Sequence, residues 1–279
     1  MRLLSKFFSD LLCGILLSLA LTAACLLPRP LAAAEPVDSP GVQPPRREPA
    51  VASGLLAVDP DFLFEPPVAA ITLRVGRNFA RAGGDLFDFF TSTLTLGRRD
   101  FHAFSVAGEA TFHLGPRLAL VAGVGGASAH ARSEFRDWEG EDGLPIEQTT
   151  RFLQIPITVG AKLYLLPHGR SVGRFAWIPA PFAPYVGAGV GAIRYEIEQK
   201  GEFVDYETLD IFADELSASG WALAEQVFGG ADINLSRRLF LQVEARYTWA
   251  GSEPRGDFLD FDTVDLRGLQ TTVGLSLRL

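Results

Sequence analysis

The stretch Gly229–Trp249, GGADINLSRRLFLQVEARYTW, decides the fold. From Leu239 onward apolar residues occupy alternate positions: Leu239, Leu241, Val243, Ala245, Tyr247 and Trp249. Phe240, Gln242, Glu244, Arg246 and Thr248 stand between them. A period of 2 sends the two sets to opposite faces of a strand. Ahead of Ser236-Arg237-Arg238, Ala231, Ile233 and Leu235 alternate with Gly230, Asp232 and Asn234. The stretch therefore reads as a hairpin of two long strands with one apolar face and one charged face. In a soluble sandwich the charged face meets water; in a membrane barrel the apolar face meets lipid and the charged face lines the lumen.

The same alternation recurs through the chain. Ile71, Leu73 and Val75 alternate with Thr72, Arg74 and Gly76, and Phe104, Val106, Ala110 and Phe112 with Ser105, Ala107, Glu109 and Thr111. Gln154–Leu165 and Val186–Ala192 repeat it, as does the tail Thr271–Leu279. A strand beginning at Leu118 carries Gly123, Gly125 and Gly126, which leave its faces unassigned. With a sixth strand over Ser217–Leu235, this predicts eight strands, each able to supply the ~9–11 residues of a tilted transmembrane strand. An even count of antiparallel strands fits a closed all-β up-and-down barrel, which leaves no exposed sheet edge. Phe89–Leu96 offers a further extended piece and is placed in the first long loop.

Connections alternate in length. Those at 115–117 and 235–238 are tight; Phe79–Arg99, Arg136–Thr149, Lys200–Leu216 and Ala250–Val264 are expected as long loops on one rim. Pro167–Ala183 is a long connection on the other rim, expected as an aromatic-proline turn without a strand pair. Phe101, Phe135, Phe152, Tyr164, Tyr185, Tyr195, Trp221, Tyr247 and Trp249 fall near strand ends, where an interfacial girdle would stand. Core aromatics of a soluble barrel are the alternative.

Ahead of the barrel, residues 1–34 read as a secretory signal. Arg2 and Lys6 precede the apolar run Leu11–Leu27 and the small-residue site Ala32-Ala33-Ala34. Cleavage there removes Cys13 and Cys25, the only cysteines, and with them any thiol chemistry. An uncleaved anchor helix is the alternative. Residues 35–67, with Pro36, Pro40, Pro44, Pro45, Pro49, Pro60, Pro66 and Pro67, read as a Pro-rich periplasmic linker, and residues 68–279 as the barrel.

Three stretches carry a resemblance: Pro184–Gly191 (PYVGAGVG), Gln154–Ile157 (QIPI) and Val243–Trp249 (VEARYTW). They resemble the small OmpA-like and OmpX-like eight-stranded outer-membrane barrels of Gram-negative bacteria. The tail Thr272-Val273-Gly274-Leu275-Ser276-Leu277-Arg278-Leu279 is similar to their assembly signal, with Thr272, Gly274, Leu277 and Leu279 in the recognised places. The departure is Leu279, where such tails usually end in an aromatic. The resemblance implies outer-membrane lipid and lipopolysaccharide as surroundings and the barrel-assembly machinery as a partner during biogenesis. No peptidoglycan-binding domain is expected.

The predicted lumen carries Arg74, Glu109, Lys162, Asp232, Glu244, Arg246 and Arg278. Charges inside an eight-stranded barrel must pair, so a salt-bridge plug is expected, with a narrow ion path as the alternative. Mixed signs oppose a selective pore, which wants a ring of one sign. An outer-leaflet lipid-modifying enzyme would need a His–Ser pair, but His130 and Ser133 lie three apart and face opposite ways on a regular strand. No catalytic residue, cofactor or dedicated metal site is expected. The acidic loops, including Asp257, Asp260, Asp262 and Asp265, offer weak divalent-cation ligands without an EF-hand pattern. A formal net charge of −8 and acidic loops speak against nucleic acid. The expected role is non-enzymatic: envelope structure or surface interaction, with a small porin as runner-up, an outer-leaflet lipid-modifying enzyme third, and a soluble periplasmic barrel against all three.

Overall fold

The computed structural model describes residues 62–140, 143–174, 176–205, 208 and 210–279. The signal segment and most of the linker lie outside them, as do Glu141, Asp142 and Glu207. The long strands are β1 (Ala69–Ala80), β2 (Ala103–His113), β3 (Leu118–Glu139) and β4 (Pro145–Tyr164). They continue with β7 (Phe182–Val204), β8 (Ile211–Asn234), β9 (Leu239–Ser252) and β11 (Gly268–Arg278). Between them come helix α1 (Asp85–Thr93), the short strands β5 (Gly169–Ser171) and β6 (Trp177–Pro179), and the bridge strand β10 (Val264–Asp265).

The ladder runs β9-β11-β1-β2-β3-β4-β7-β8, and β8 pairs back onto β9. All these pairings are antiparallel, so the sheet is a closed eight-stranded up-and-down barrel. The seam between first and last strands is tied by Val68 N to Leu279 O (3.2 Å) and Leu279 N to Ala69 O (2.8 Å). From Arg77 the register leads one way through Phe104, Ser128, Leu153 and Glu196 to Ser219. The other way it leads through Thr271 and Ala245 to Gly229. Residues 219 and 229 differ by ten on the same strand, which is the shear. With ~3.3 Å rise and ~4.8 Å spacing, a shear of ten over eight strands tilts them by about 40°.

Alternation sets the two faces as the hairpin implied. On β9, Gln242, Glu244 and Arg246 are buried while Leu239, Val243 and Trp249 are exposed. Ile71, Val75, Val159, Val190, Val227 and Leu275 are likewise exposed on neighbouring strands. An apolar exterior around a charged interior is the inverse of a water-soluble barrel and suits lipid.

β3 faces inward with its odd residues, Ala119, Val121, Ala127, Ala129 and Ser133. Both of its faces hold small or apolar residues, which is why periodicity left it undecided. Pro156 lacks an N–H, and the β3–β4 ladder skips from Val124↔Ile157 to Ala127↔Gln154 around it.

Several expectations are corrected. β3–β4 pairing continues to Glu139↔Pro145 and β7–β8 pairing to Val204↔Ile211, so most of 136–149 and 200–216 is strand rather than loop. The sixth long strand accordingly starts at Ile211, before Ser217. The 167–183 connection does hold a strand pair, the β5–β6 ribbon. Residues 85–93 form a helix: Leu86, Phe87 and Phe90 make one buried face, and Asp85 and Asp88 sit at the end that favours negative charge. Gly84, at φ 89°, turns the chain into it with a backbone that glycine adopts freely. Five of the nine girdle candidates, Phe101, Phe152, Tyr164, Tyr185 and Tyr195, are buried in the interior, whereas Trp221 and Trp249 are exposed.

Candidate functional site

The barrel interior is the candidate site, and all seven predicted luminal charges are in it. Arg74, Glu109, Lys162, Asp232, Glu244, Arg246 and Arg278 are each at most 7 % exposed. At mid-height two arginines and two glutamates alternate. Arg74 reaches Glu109 Oε2 at 2.9 Å and Glu244 Oε1 at 2.6 Å. Arg246 reaches the same two carboxylates at 3.2 and 2.8 Å. Lys162 Nζ adds a third cation, 3.3 Å from Glu109 Oε1 and 4.2 Å above the Tyr185 ring. Tyr185 donates its hydroxyl to Glu244 Oε2 at 2.9 Å. Arg246 also donates to Gln226 (3.1 Å) and lies over Phe228, 4.9 Å from its centroid.

The inward glycines of β7 make room for this arrangement. A Cβ on Gly187 would stand 2.3 Å from the Phe228 ring, and one on Gly189 3.0 Å from Gln226 Nε2. Small residues on one wall let bulky residues on the next reach across.

Asp232 and Arg278 belong to a lower layer. Asp232 accepts from Tyr164 (2.8 Å) and Gln242 (3.3 Å), while Arg278 donates to Asn234 Oδ1 (2.7 Å) and the carbonyl of Ser236 (3.1 Å). Beneath lies an aromatic floor. The rings of His113 and His168 stack at 4.3 Å, Trp177 lies 5.5 Å from His168, and the Arg278 guanidinium covers Phe240 at 4.5 Å. His168 Nδ1 donates to Pro116 O at 3.0 Å, and burial holds this imidazole's pKa down to about 4. Leu63, at the end of the linker, pairs with Trp177 through two backbone hydrogen bonds of 2.9 and 2.7 Å. The β5–β6 ribbon and the chain entering the barrel thus cover the short-turn mouth.

The opposite mouth is closed by the loops. Phe87 and Phe90 of α1 pack with Phe101, Phe152 and Phe258, the Phe87 ring lying 4.9 Å from Phe101 and 5.5 Å from Phe152. The wall around them is built of small residues: Ala127, Ala129, Ala218, Ala222 and Ala224. Tyr195 donates to Glu253 O at 3.1 Å. Asp85 accepts from the backbone N–H of Asp262 (2.6 Å) and Thr263 (3.5 Å), joining α1 to the β9–β10 loop. Those backbone donors, Asp262 first, hold the Asp85 carboxyl below its usual range.

The other candidates are not brought together. His130 is exposed on the outer face and Ser133 buried on the inner one. Asp257 accepts from Ser217 N (2.7 Å), Asp265 is held by Arg267 (2.8 Å), and the Asp262 backbone serves Asp85. Among the described residues no group of three or more His, Cys, Asp or Glu could hold a metal ion. In the terminal strand Thr272 faces inward, buried, and Leu277 and Leu279 are exposed. Sequence reasoning missed Tyr164, Tyr185, Gln226, Phe228 and Gln242 as members of the network. Their alternation placed each of them inward, and that was the signal.

Likeness to known proteins is a likeness of architecture. No family profile matches the sequence, and no curated protein matches it. Among solved structures, Neisserial surface protein A is 12 % identical with a TM-score of 0.42, over 76 % of this chain and 96 % of that one. A major outer membrane protein from Thermus thermophilus is 14 % identical with a TM-score of 0.41, over 76 % and 99 %. Ail, the attachment invasion locus protein of Yersinia pestis, is 10 % identical with a TM-score of 0.39, over 76 % and 99 %. This chain is a closed eight-stranded up-and-down barrel with an apolar exterior and a charged interior. Its exterior, shear and closure carry that statement; what it does is a separate matter.

Proposed function

We propose that this chain is a non-enzymatic, non-conducting outer-membrane barrel of the bacterial envelope, exported by a cleaved signal segment and acting through its outer surface and loops. The observation that supports this reading is the filling of the interior at three successive levels. Phenylalanines from the loops close one mouth, the Arg74–Glu109–Arg246–Glu244 network crosses the middle, and the His113–His168–Trp177 floor closes the other. A water path would have to break a buried charge network in which three cations hold Glu109 and two hold Glu244. Such networks are expensive to open one residue at a time.

The projecting hairpins are what remains available to a partner. β3, β4, β7 and β8 run 20–24 residues, against the ~9–11 that a membrane crossing needs. The non-enzymatic reading is supported by the separation of His130 from Ser133 across the wall. The test is single-channel recording of the full chain in a planar bilayer, with insertion checked by heat-modifiable migration. Silence is expected. Stable steps that change on Glu109→Gln or Arg246→Gln would establish the porin reading in its place.

A further inference from the structure

The outer face carries a trough that the barrel's own packing does not require. One hydrogen-bonded row of the sheet reads Arg77↔Thr271↔Ala245↔Gly229, one residue each from β1, β11, β9 and β8, all on the outward phase. Side chains shrink along it from arginine to threonine to alanine to glycine. The row on one side is Val75↔Val273↔Val243, and that on the other is Phe79↔Leu269↔Tyr247. Two bulky ridges thus flank a low floor, and a surface groove lies along it. Three strand spacings make it about 14 Å long.

The shear tilts this row. The ladder climbs toward the loop side from β1 through β2 to β8, so it descends from Arg77 through Thr271 and Ala245 to Gly229. Arg77 stands eight residues above Ala69, roughly 20 Å along the barrel axis at the tilt given above, near the upper edge of a ~25 Å apolar band. It is exposed, and among the described residues no carboxylate lies within ion-pair distance of its guanidinium. Gly229 is not needed by the wall: a Cβ there would meet Tyr185 O at 3.7 Å and Val186 Cγ1 at 3.9 Å, ordinary contacts. The inward Gly187 and Gly189 are different, since a Cβ on either would collide with its neighbours. Glycine inside a strand weakens it and often marks the close approach of another molecule.

We propose that this trough binds a phosphate-bearing lipid of the leaflet nearest the long loops, with its phosphate at Arg77 and one acyl chain along Thr271, Ala245 and Gly229. The assignment rests on the membrane-barrel reading. A cation at the headgroup end of an apolar channel matches an anionic lipid. A second copy docked two-fold on the same floor would bring two arginines together without a counter-charge.

Native mass spectrometry of the full chain tests this, after reconstitution in vesicles of equal phosphatidic acid and phosphatidylcholine with identical acyl chains. The wild type is expected to retain one phosphatidic acid with about fivefold preference, the effect of one cation near an anionic surface. Arg77→Gln should bring the preference to parity, and Gly229→Leu should strip both lipids. Gly126→Leu, outward on β3 with nothing within 4 Å, should behave as wild type. No preference in the wild type, a preference unmoved by Arg77→Gln and Gly229→Leu, or a dimer dissolved by Gly229→Leu would overturn the proposal. Heat-modifiable migration of each sample reports the barrel separately; a wild type lacking it would sink the membrane reading, and the lipid site with it.

Discussion

Glu244→Gln is the perturbation that separates a charge network from a mere collection of polar residues. The mid-lumen cluster holds three cations, Arg74, Lys162 and Arg246, around two carboxylates, Glu109 and Glu244. It therefore already carries one positive charge in excess. Neutralising Glu244 leaves all three cations to a single carboxylate and loosens contacts of 2.6 Å to Arg74, 2.8 Å to Arg246 and 2.9 Å to Tyr185. Breaking a buried pair in this way costs about 3–5 kcal/mol. Arg246→Gln removes as many ionic contacts but leaves two cations against two carboxylates, so its cost should approach that of a charged hydrogen bond, about 1.5–3 kcal/mol. The prediction is a ranking: Glu244→Gln is the worse of the two by roughly 1.8 kcal/mol, the gap between the midpoints of those ranges and about a twentyfold change in the folding equilibrium. Urea titration of the full chain in vesicles, followed by tryptophan fluorescence and the heat-modifiable band, measures it. Equal costs, or a Glu244→Gln variant within ~1 kcal/mol of wild type, would refute the claim that excess positive charge limits the network.

Other expectations follow from the same geometry. Gly187→Ala should destabilise by about 1–3 kcal/mol, because its Cβ meets the Phe228 ring that carries Arg246, and the same titration reads it. His168 has a folded pKa of about 4, below its ordinary ~6.5, so the unfolded chain binds the proton first. Its contribution is complete above pH ~6.5 and is lost as pH falls toward about 4, amounting to roughly 3 kcal/mol. His168→Gln should lessen the rise of the urea midpoint with pH across that window by the share of one proton. Asp85 has a lowered pKa, so its latch to Asp262 and Thr263 holds above the ordinary carboxylate range and is released as pH falls through the folded value. Faster hydrogen exchange at the Asp262 amide in Asp85→Asn, at neutral pH, checks it; unchanged exchange would remove the latch.

The wall of the barrel was legible because a period of 2 is a local signal. Glu109, Lys162 and Glu244 could be placed inside from their immediate neighbours alone. Tyr164 and Tyr185 show the limit of reading by residue type: aromatics near strand ends suggested a girdle, yet their phase relative to Leu163 and Val186 pointed inward, and phase was the better guide. The β3 faces were illegible for a physical reason, since Ala and Gly on both sides carry no contrast. Helix α1 was hidden as well. Thr93-Leu94-Thr95-Leu96 at its end reads as strand, and its Phe87 and Phe90 pack against Phe152 and Phe258, far along the chain, as well as against nearby Phe101. Plugs are long-range objects, and no local periodicity encodes them.

The alanines of the upper wall explain how labour is divided among the loops. Ala127 and Ala129 on β3 and Ala218, Ala222 and Ala224 on β8 leave room in the upper lumen that Phe152 of β4 and Tyr195 of β7 fill only in part. The first loop and the β9–β10 loop supply the missing volume through Phe87, Phe90, Phe101 and Phe258 and are thereby fixed to the barrel. β8 pairs with β9 only from Ala224 toward the short-turn rim, and β3 with β2 only up to Ser128. Beyond those points β3, β4, β7 and β8 continue as two long hairpins joined through β4 and β7 up to Gln148↔Gly201. Two loops are committed to closing the mouth and two hairpins are left to project from it. Mutations in the plug phenylalanines should therefore read out as stability, and mutations at the hairpin tips as changes in what the surface meets.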